Sequence, residues 1–138
     1  MSEETTTTEE EQNDESWFID LNWYGANNRS FSVIAGKCLC DKCRKKLKAD
    51  TEEVAAKKLI DAISGCCSEQ PEYITGEMPV LESVFRIMLA GGNKPLKMQE
   101  LVERLIERRG SVPGGSSGEM LVRLLRKDRF YGLSSHEK

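Results

Sequence analysis

Four of the five cysteines in this 138-residue chain fall into two close pairs. Cys40 and Cys43 form a C-x-x-C turn, and the adjacent Cys66 and Cys67 follow after 22 intervening residues. Two thiolates from a C-x-x-C turn and two from a second pair are typical ligands of a tetrahedral Zn(II) ion. The pattern therefore predicts a structural zinc site formed by Cys40, Cys43, Cys66 and Cys67.

Other interpretations of the cysteines stay open. Side chains of consecutive residues usually diverge, so Cys38 is an alternative ligand in place of one of the adjacent pair. A redox dithiol, with Cys40 activated by Lys42 and Arg44, is a second interpretation. The C-x-x-C turn lacks the βαβ surroundings expected of a thioredoxin-like motif. Inert buried thiols are a third.

The sequence offers little for catalysis. Its single histidine, His136, is the third residue from the end and lies in a polar stretch, which argues against histidine-dependent chemistry and a Cys2His2 zinc site. Gly114-Gly115 leads into serines without the G-K-[ST] ending of a phosphate-binding P-loop. We therefore expect a protein that is not an enzyme and has no small-molecule substrate.

Charge is distributed unevenly along the chain. Residues 1–16 hold seven of the 23 acidic residues and no basic one, so residues 17–138 carry 20 basic against 16 acidic side chains. Such a polar, like-charged segment predicts a disordered acidic leader over residues 1–16. The leader is either a solubilising segment or an electrostatic mimic that competes with nucleic acid for the basic body.

No apolar run approaches the roughly 18–20 residues that a membrane span requires. The N-terminus also lacks the basic start and apolar stretch of a secretory signal. An odd number of cysteines without such a signal favours reduced thiols. These features predict a cytoplasmic protein without membrane contact.

A Cys-rich zinc-binding module is predicted over residues 17–70. Alternating apolar residues predict a strand over residues 17–24, with Trp17, Ile19, Leu21 and Trp23 on one face. A short helix over Ser30–Lys37 leads to the C-x-x-C turn. A second helix, capped by Asp50 or Thr51, has an apolar stripe and ends at Gly65. The basic run around the turn suits either phosphate contact or a solvated face; it comprises Lys42, Arg44, Lys45, Lys46 and Lys48.

Residues 78–133 have the pattern of a winged helix-turn-helix domain. A helix from Pro79 to Gly91 is followed by a short extended piece and a helix over Lys97–Arg109. A capping box, Ser116 to Glu119, opens a third helix. A strand is predicted over Asp128–Leu133 and a frayed tail over residues 134–138. The predicted fold class is α+β, mainly α: a small zinc-stapled N-terminal module followed by a winged helix-turn-helix domain.

Two stretches carry a family resemblance, AGGNKPLKMQELVERL (Ala90–Leu105) and LVRLLRKDRFYGL (Leu121–Leu133). They resemble the HARE helix-turn-helix domains of the delta subunit of bacterial RNA polymerase and of some chromatin and restriction proteins. The resemblance covers under half of the chain, and Lys97 stands where such domains usually have a Ser or Thr cap. The whole layout also resembles small bacterial proteins with a Cys-containing N-terminal half. The family resemblance implies RNA polymerase as a partner.

The third helix occupies the position of a major-groove reader. Arg123, Arg126 and Lys127 are spaced i, i+3, i+4 on it, and Arg129 follows. Together with Lys42, Arg44, Lys45 and Lys46 they are the candidate nucleic-acid contacts. The predicted function is a non-enzymatic DNA-binding or transcription-associated regulator with a structural zinc site. The alternative is a protein-docking adaptor or accessory subunit, for example on RNA polymerase, without sequence-specific DNA contact.

Overall fold

A computed structural model of the chain describes residues 15–48, 54–112 and 118–136. Within these ranges the fold is mainly helical with one small sheet, which confirms the predicted α+β class. The elements in chain order are β1 (Ser16–Ile19), α1 (Leu21–Ala26), α2 (Phe31–Gly36), α3 (Asp41–Leu47), α4 (Ala56–Gly65), a 3-10 turn (Cys67–Glu69), α5 (Val80–Ala90), β2 (Leu96–Lys97), α6 (Met98–Arg109), α7 (Glu119–Arg126) and β3 (Leu133–His136).

The three strands form an antiparallel sheet with β1 in the centre, in the order β2–β1–β3. Trp17 lies opposite Leu96 of β2 and Ser135 of β3. Because side chains alternate along a strand, Trp17 and Ile19 both point into the core and are almost fully buried. The side chain of Asn93 accepts a hydrogen bond from the Ile19 N–H (2.8 Å) and donates one to the Ile19 carbonyl (3.0 Å). The sheet therefore joins the segment predicted as the Cys-rich module to the C-terminal segment.

The apolar core is also continuous between these two segments. A chain of ring contacts runs through it, from Tyr24 to Phe31, from Phe31 to Phe85, and from Phe85 to Tyr131. Tyr24 donates a hydrogen bond from its hydroxyl to the carbonyl of Tyr131 (2.5 Å). Helices on both sides of the gap at residues 49–53 contribute buried side chains. Before it these are Tyr24 of α1 and Ala35 of α2, and after it they include Leu59, Ile63, Phe85, Met88, Leu101 and Leu105.

The single strand predicted over residues 17–24 is wrong beyond Ile19. Asp20 breaks it, because its carboxylate accepts a hydrogen bond from the Asn22 N–H (3.0 Å) and so caps α1. The helical turn brings Tyr24 into the core and leaves Leu21 39% exposed, so the predicted common face does not form.

Most of the predicted helices are confirmed. The apolar stripe predicted over residues 59–63 lies on α4. The apolar stripes predicted for the first and second helices of the C-terminal segment lie on α5 and α6. Ser30 caps α2 as its position suggests, accepting from the Val33 N–H (3.2 Å). The predicted start of α4 is wrong, because the helix begins at Ala56 with Ala55 as its N-cap. The predicted caps, Asp50 and Thr51, lie outside the described residues. The capping box of the third helix is wrong, because α7 has Gly118 as its N-cap and Glu119 as its first residue.

The predicted strand over Asp128–Leu133 is a turn instead. The Asp128 carboxylate accepts hydrogen bonds from the backbone N–H groups of Phe130, Tyr131 and Leu133, all within 3.2 Å, which curls this segment. The strand is β3, displaced into residues predicted to fray. Ser16, predicted as the end of the acidic leader, likewise lies in β1. Residues 1–14, which make up nearly all of that leader, lie outside the described residues.

Candidate metal centre

The first cysteine pair is positioned by the start of α3. Cys40 is the N-cap of this helix in extended conformation, and Cys43 lies in its first turn. One helical turn places the two sulfurs on the same side. The sulfurs of Cys40, Cys43 and Cys66 all lie within 4.8 Å of one another, so these three residues can hold a metal ion.

The second pair lies where α4 ends. Cys66 has φ −141° and ψ −63°, which breaks the helix after Gly65, and Cys67 starts the 3-10 turn. Side chains of consecutive residues usually diverge, but this bend lets both Cys66 and Cys67 approach Cys40. The Cys40 sulfur is 3.9 Å from the Cys66 sulfur and 3.6 Å from the Cys67 sulfur.

We call these four residues, Cys40, Cys43, Cys66 and Cys67, the cysteine cluster. Four sulfurs at about 2.3 Å from one tetrahedral ion would be about 3.8 Å apart. The two distances measured from the Cys40 sulfur bracket that value. Both predicted pairs therefore converge, and the cluster can supply four thiolate ligands to one metal ion. All five cysteines are free thiols, so no disulfide competes for these sulfurs.

Electrostatics distinguish the thiols in the cluster. A hydrogen bond from the Cys43 backbone N–H lowers the pKa of Cys40 to about 7. Burial raises the pKa of Cys43 and of Cys67, and a hydrogen bond with the Cys43 side chain raises the pKa of Cys66. The Cys40 N–H also donates to the Cys67 sulfur (3.2 Å), a bond that suits a thiolate. Cys40 is therefore the first thiol to ionise.

Cys38, the predicted alternative ligand, is not one of the three grouped sulfurs. The Cys38 residue is only 6% exposed, and burial raises the pKa of its thiol to about 11. Cys67 also lies outside that group, but its sulfur is 3.6 Å from the Cys40 sulfur, so Cys67 can be the fourth ligand in place of Cys38.

The basic run lies on α3, directly after Cys40. The side chains of Lys42, Lys45 and Lys46 are exposed, whereas Arg44 is half-buried and donates to the carbonyl of Leu39 (3.4 Å). Cys43 is the only fully buried residue of α3. This helix therefore buries a thiol where most helices bury an apolar stripe.

The remaining candidate nucleic-acid contacts lie at the end of α7. Arg123, Arg126 and Lys127 are exposed, and we call this set the basic face of α7; Arg129, just beyond it, is exposed as well. The Arg126 guanidinium forms an ion pair with the carboxylate of Glu15 (3.0 Å). This pair could not be predicted from the sequence, because Glu15 is one acidic residue among seven in the leader.

Comparisons of the chain with protein-family models, with curated proteins and with solved structures found no match. The predicted resemblance to HARE domains stays a prediction. Among the described residues, none of the helices has the length and apolar character needed to cross a bilayer.

Proposed function

We propose that the protein is a non-enzymatic DNA-binding regulator in which the cysteine cluster holds a structural Zn(II) ion. The observation that carries the proposal is the grouping of the Cys40, Cys43 and Cys66 sulfurs within 4.8 Å, with the Cys67 sulfur 3.6 Å from that of Cys40. This cluster lies at the start of α3, the helix that presents Lys42, Lys45 and Lys46. A metal bound there would fix a basic helix against the rest of the fold.

The ligand chemistry favours zinc. An all-thiolate tetrahedral set selects zinc or iron over hard cations such as Mg²⁺ or Ca²⁺. Four protein ligands leave no open coordination position, and a closed site is structural and not catalytic. The Cys40 thiol, with its pKa near neutrality, provides the first thiolate for the incoming ion.

The helix α3 has little apolar packing, so a bound metal ion would contribute to its stability. The helix has seven residues, of which Cys43 is buried and Leu47 is partly buried against the core. Isolated helices of this length are unstable in water. Metal binding supplies free energy of folding that such a helix cannot obtain from packing.

The C-terminal segment supports DNA contact. The order α5, β2, α6, α7, β3 fits a helix-turn-helix in which α7 is the reading helix. The strand β1, contributed by the N-terminal segment, lies between β2 and β3 and completes a three-stranded sheet beside these helices. Among the described residues, Arg123 and Lys127 have no ion-pair partner, so their charges are available to phosphates.

A salt titration tests this function. Zinc-loaded protein is added to a fluorescein-labelled duplex of about 20 base pairs, and anisotropy is measured between about 50 and 200 mM salt. We expect log K to fall with log salt by about 0.9 per phosphate contacted, and Arg123→Gln with Lys127→Gln to reduce that slope by about 2. Lys57→Gln with Lys58→Gln, on the exposed side of α4, is the matched control. A K that does not vary with salt would overturn DNA binding.

A protein-docking role is the second candidate, favoured by apolar exposure near the same helix. Met120 of α7 is 48% exposed, and Phe130, just after α7, is 42% exposed. RNA polymerase is the partner implied by the family resemblance. Recovery of polymerase subunits on the tagged protein after nuclease treatment, and its loss with Met120→Asp, would favour this role. Recovery that disappears with nuclease would return the function to DNA binding.

A further inference from the structure

We infer that the basic face of α7 is a docking surface for an acidic segment of this same chain, residues 1–14. The inference rests on the proposed function, because it gives the proposed DNA-contacting face an intramolecular occupant that competes with DNA. The occupant of the basic face of α7 is identified by its charge: it is a carboxylate-rich peptide without basic residues.

The first observation is an acidic residue already seated on this face. Glu15 lies directly before β1, and its carboxylate is 3.0 Å from the Arg126 guanidinium. The Glu15 residue is only 8% exposed, whereas the Arg126 side chain is 59% exposed. Glu15, the last acidic residue of the leader, is therefore held in the fold. The Arg126 guanidinium beside it remains largely exposed to solvent.

The second observation is where the chain enters the sheet. Ser16 lies opposite Lys97 of β2 and His136 of β3, so residue 14 is two positions from the paired end of β1. Fourteen residues reach up to about 46 Å when extended. The eight residues of α7 span about 12 Å. The segment is long enough to cover the whole basic face.

The third observation is complementary charge. Residues 1–14 carry six acids and no base. Arg123 and Lys127 form no ion pair with any residue that the structure describes. A tethered segment acts at an effective concentration in the millimolar range, so weak individual contacts suffice to compete with a phosphate backbone.

Carbodiimide coupling tests the contact without any nucleic acid. The reagent condenses a carboxylate with a lysine amine into an amide, with the lost water taken up as the urea by-product. On the full-length zinc-loaded protein we expect the leader to couple to Lys127. The coupling should disappear with Lys127→Arg, which keeps the charge but removes the reactive amine. Coupling spread evenly over Lys57, Lys58 and Lys127 would overturn the inference.

A charge-matched pair of variants tests competition. The first neutralises the leader with five Glu→Gln changes and one Asp→Asn change, at Glu3, Glu4, Glu9, Glu10, Glu11 and Asp14. The control makes the same six changes at exposed acids elsewhere, at Asp61, Glu69, Glu72, Glu77, Glu103 and Glu107. At about 50 mM salt we expect the first variant to bind the 20-base-pair duplex at least tenfold more tightly than wild type, and the control less than threefold. Equal gains would mean that only net charge matters and would overturn the docking.

The two experiments separate this inference from the proposed function. Coupling to Lys127 in a protein that binds no DNA would remove the function and keep the docking. DNA binding that the leader variant leaves unchanged, without coupling to Lys127, would remove the docking and keep the function.

Discussion

The cysteine cluster and the sheet hold the same small fold together by different means. Around the cluster, α3 buries Cys43 and part of Leu47, and the sulfurs of Cys40, Cys43 and Cys66 converge within 4.8 Å. In the sheet, β1 buries Trp17 and Ile19 and is hydrogen-bonded along both edges. We propose that a bound metal ion stabilises the first region, whereas the burial of apolar surface stabilises the second. The following predictions separate these two sources of stability.

The largest effect is expected from removing one ligand of the cluster. Cys43→Ala should abolish stoichiometric zinc and lower the free energy of unfolding by about 3 kcal/mol or more, because zinc binding contributes directly to folding. Metal content by mass spectrometry and hydrogen exchange by residue measure the two effects. Exchange should rise over α3 and stay slow in β1.

Cys38→Ala is the matched control for this variant. It removes a buried thiol outside the grouped sulfurs, so one zinc per chain should remain. A zinc content unchanged in Cys43→Ala, or protection lost equally in α3 and β1, would contradict the difference between the two regions.

The pH dependence of metal binding is the next largest effect. In the folded metal-free protein the Cys40 pKa is lowered to about 7, while those of Cys43, Cys66 and Cys67 are raised. A lowered pKa means that the Cys40 thiolate is present above pH 7 and is lost as pH falls through 7. At pH 7 zinc must therefore displace about three to four protons, and its affinity should fall about a thousandfold or more per unit of acidification.

Calorimetry in buffers of different ionisation enthalpy counts these protons. Cys38→Ala should release the same number as wild type. Release of one proton or none would mean that the four sulfurs do not act together as ligands.

The cluster was predictable from sequence and the sheet was not, for a physical reason. A metal imposes short distances on a few residue types, so Cys40 and Cys43 identify a turn by spacing alone. The neighbours of β1 begin at Leu96 and Leu133, and no local pattern links Trp17 to either. The partnership between Glu15 and Arg126 is hidden for the same reason, since 111 positions separate them.

Local hydrogen bonds to aspartate side chains explain the two wrongly predicted strands. The alternation from Trp17 to Trp23 is a correct strand signal for only three residues, up to Ile19, because Asp20 caps a helix at that point. Asp128 similarly turns a predicted strand by accepting three backbone hydrogen bonds. In both places one short acidic side chain overrides the apolar pattern around it.

An intermediate effect is expected from breaking the sheet at Asn93. Its side chain satisfies both backbone groups of Ile19, and its own φ of 61° is left-handed. Asn93→Ala should cost about 2–4 kcal/mol, from two unpaired backbone groups and a strained φ. Asn93→Gly removes the strain alone and should recover about 1 kcal/mol. Denaturant unfolding measures both, and one zinc per chain should remain in each. Loss of zinc from either variant would show that the sheet and the cluster are not independent.

The smallest effect is expected at the ion pair where the leader meets the sheet. Glu15 is nearly buried, but the Arg126 side chain is 59% exposed, so solvent screens the attraction between them. A double-mutant cycle of Glu15→Gln and Arg126→Gln should give a coupling of about 0.5 kcal/mol that decreases with salt. Zinc content should not change, because neither residue contacts the cluster. A coupling of zero would mean that Glu15 is buried by packing alone, and the basic face of α7 would then have no fixed acidic anchor.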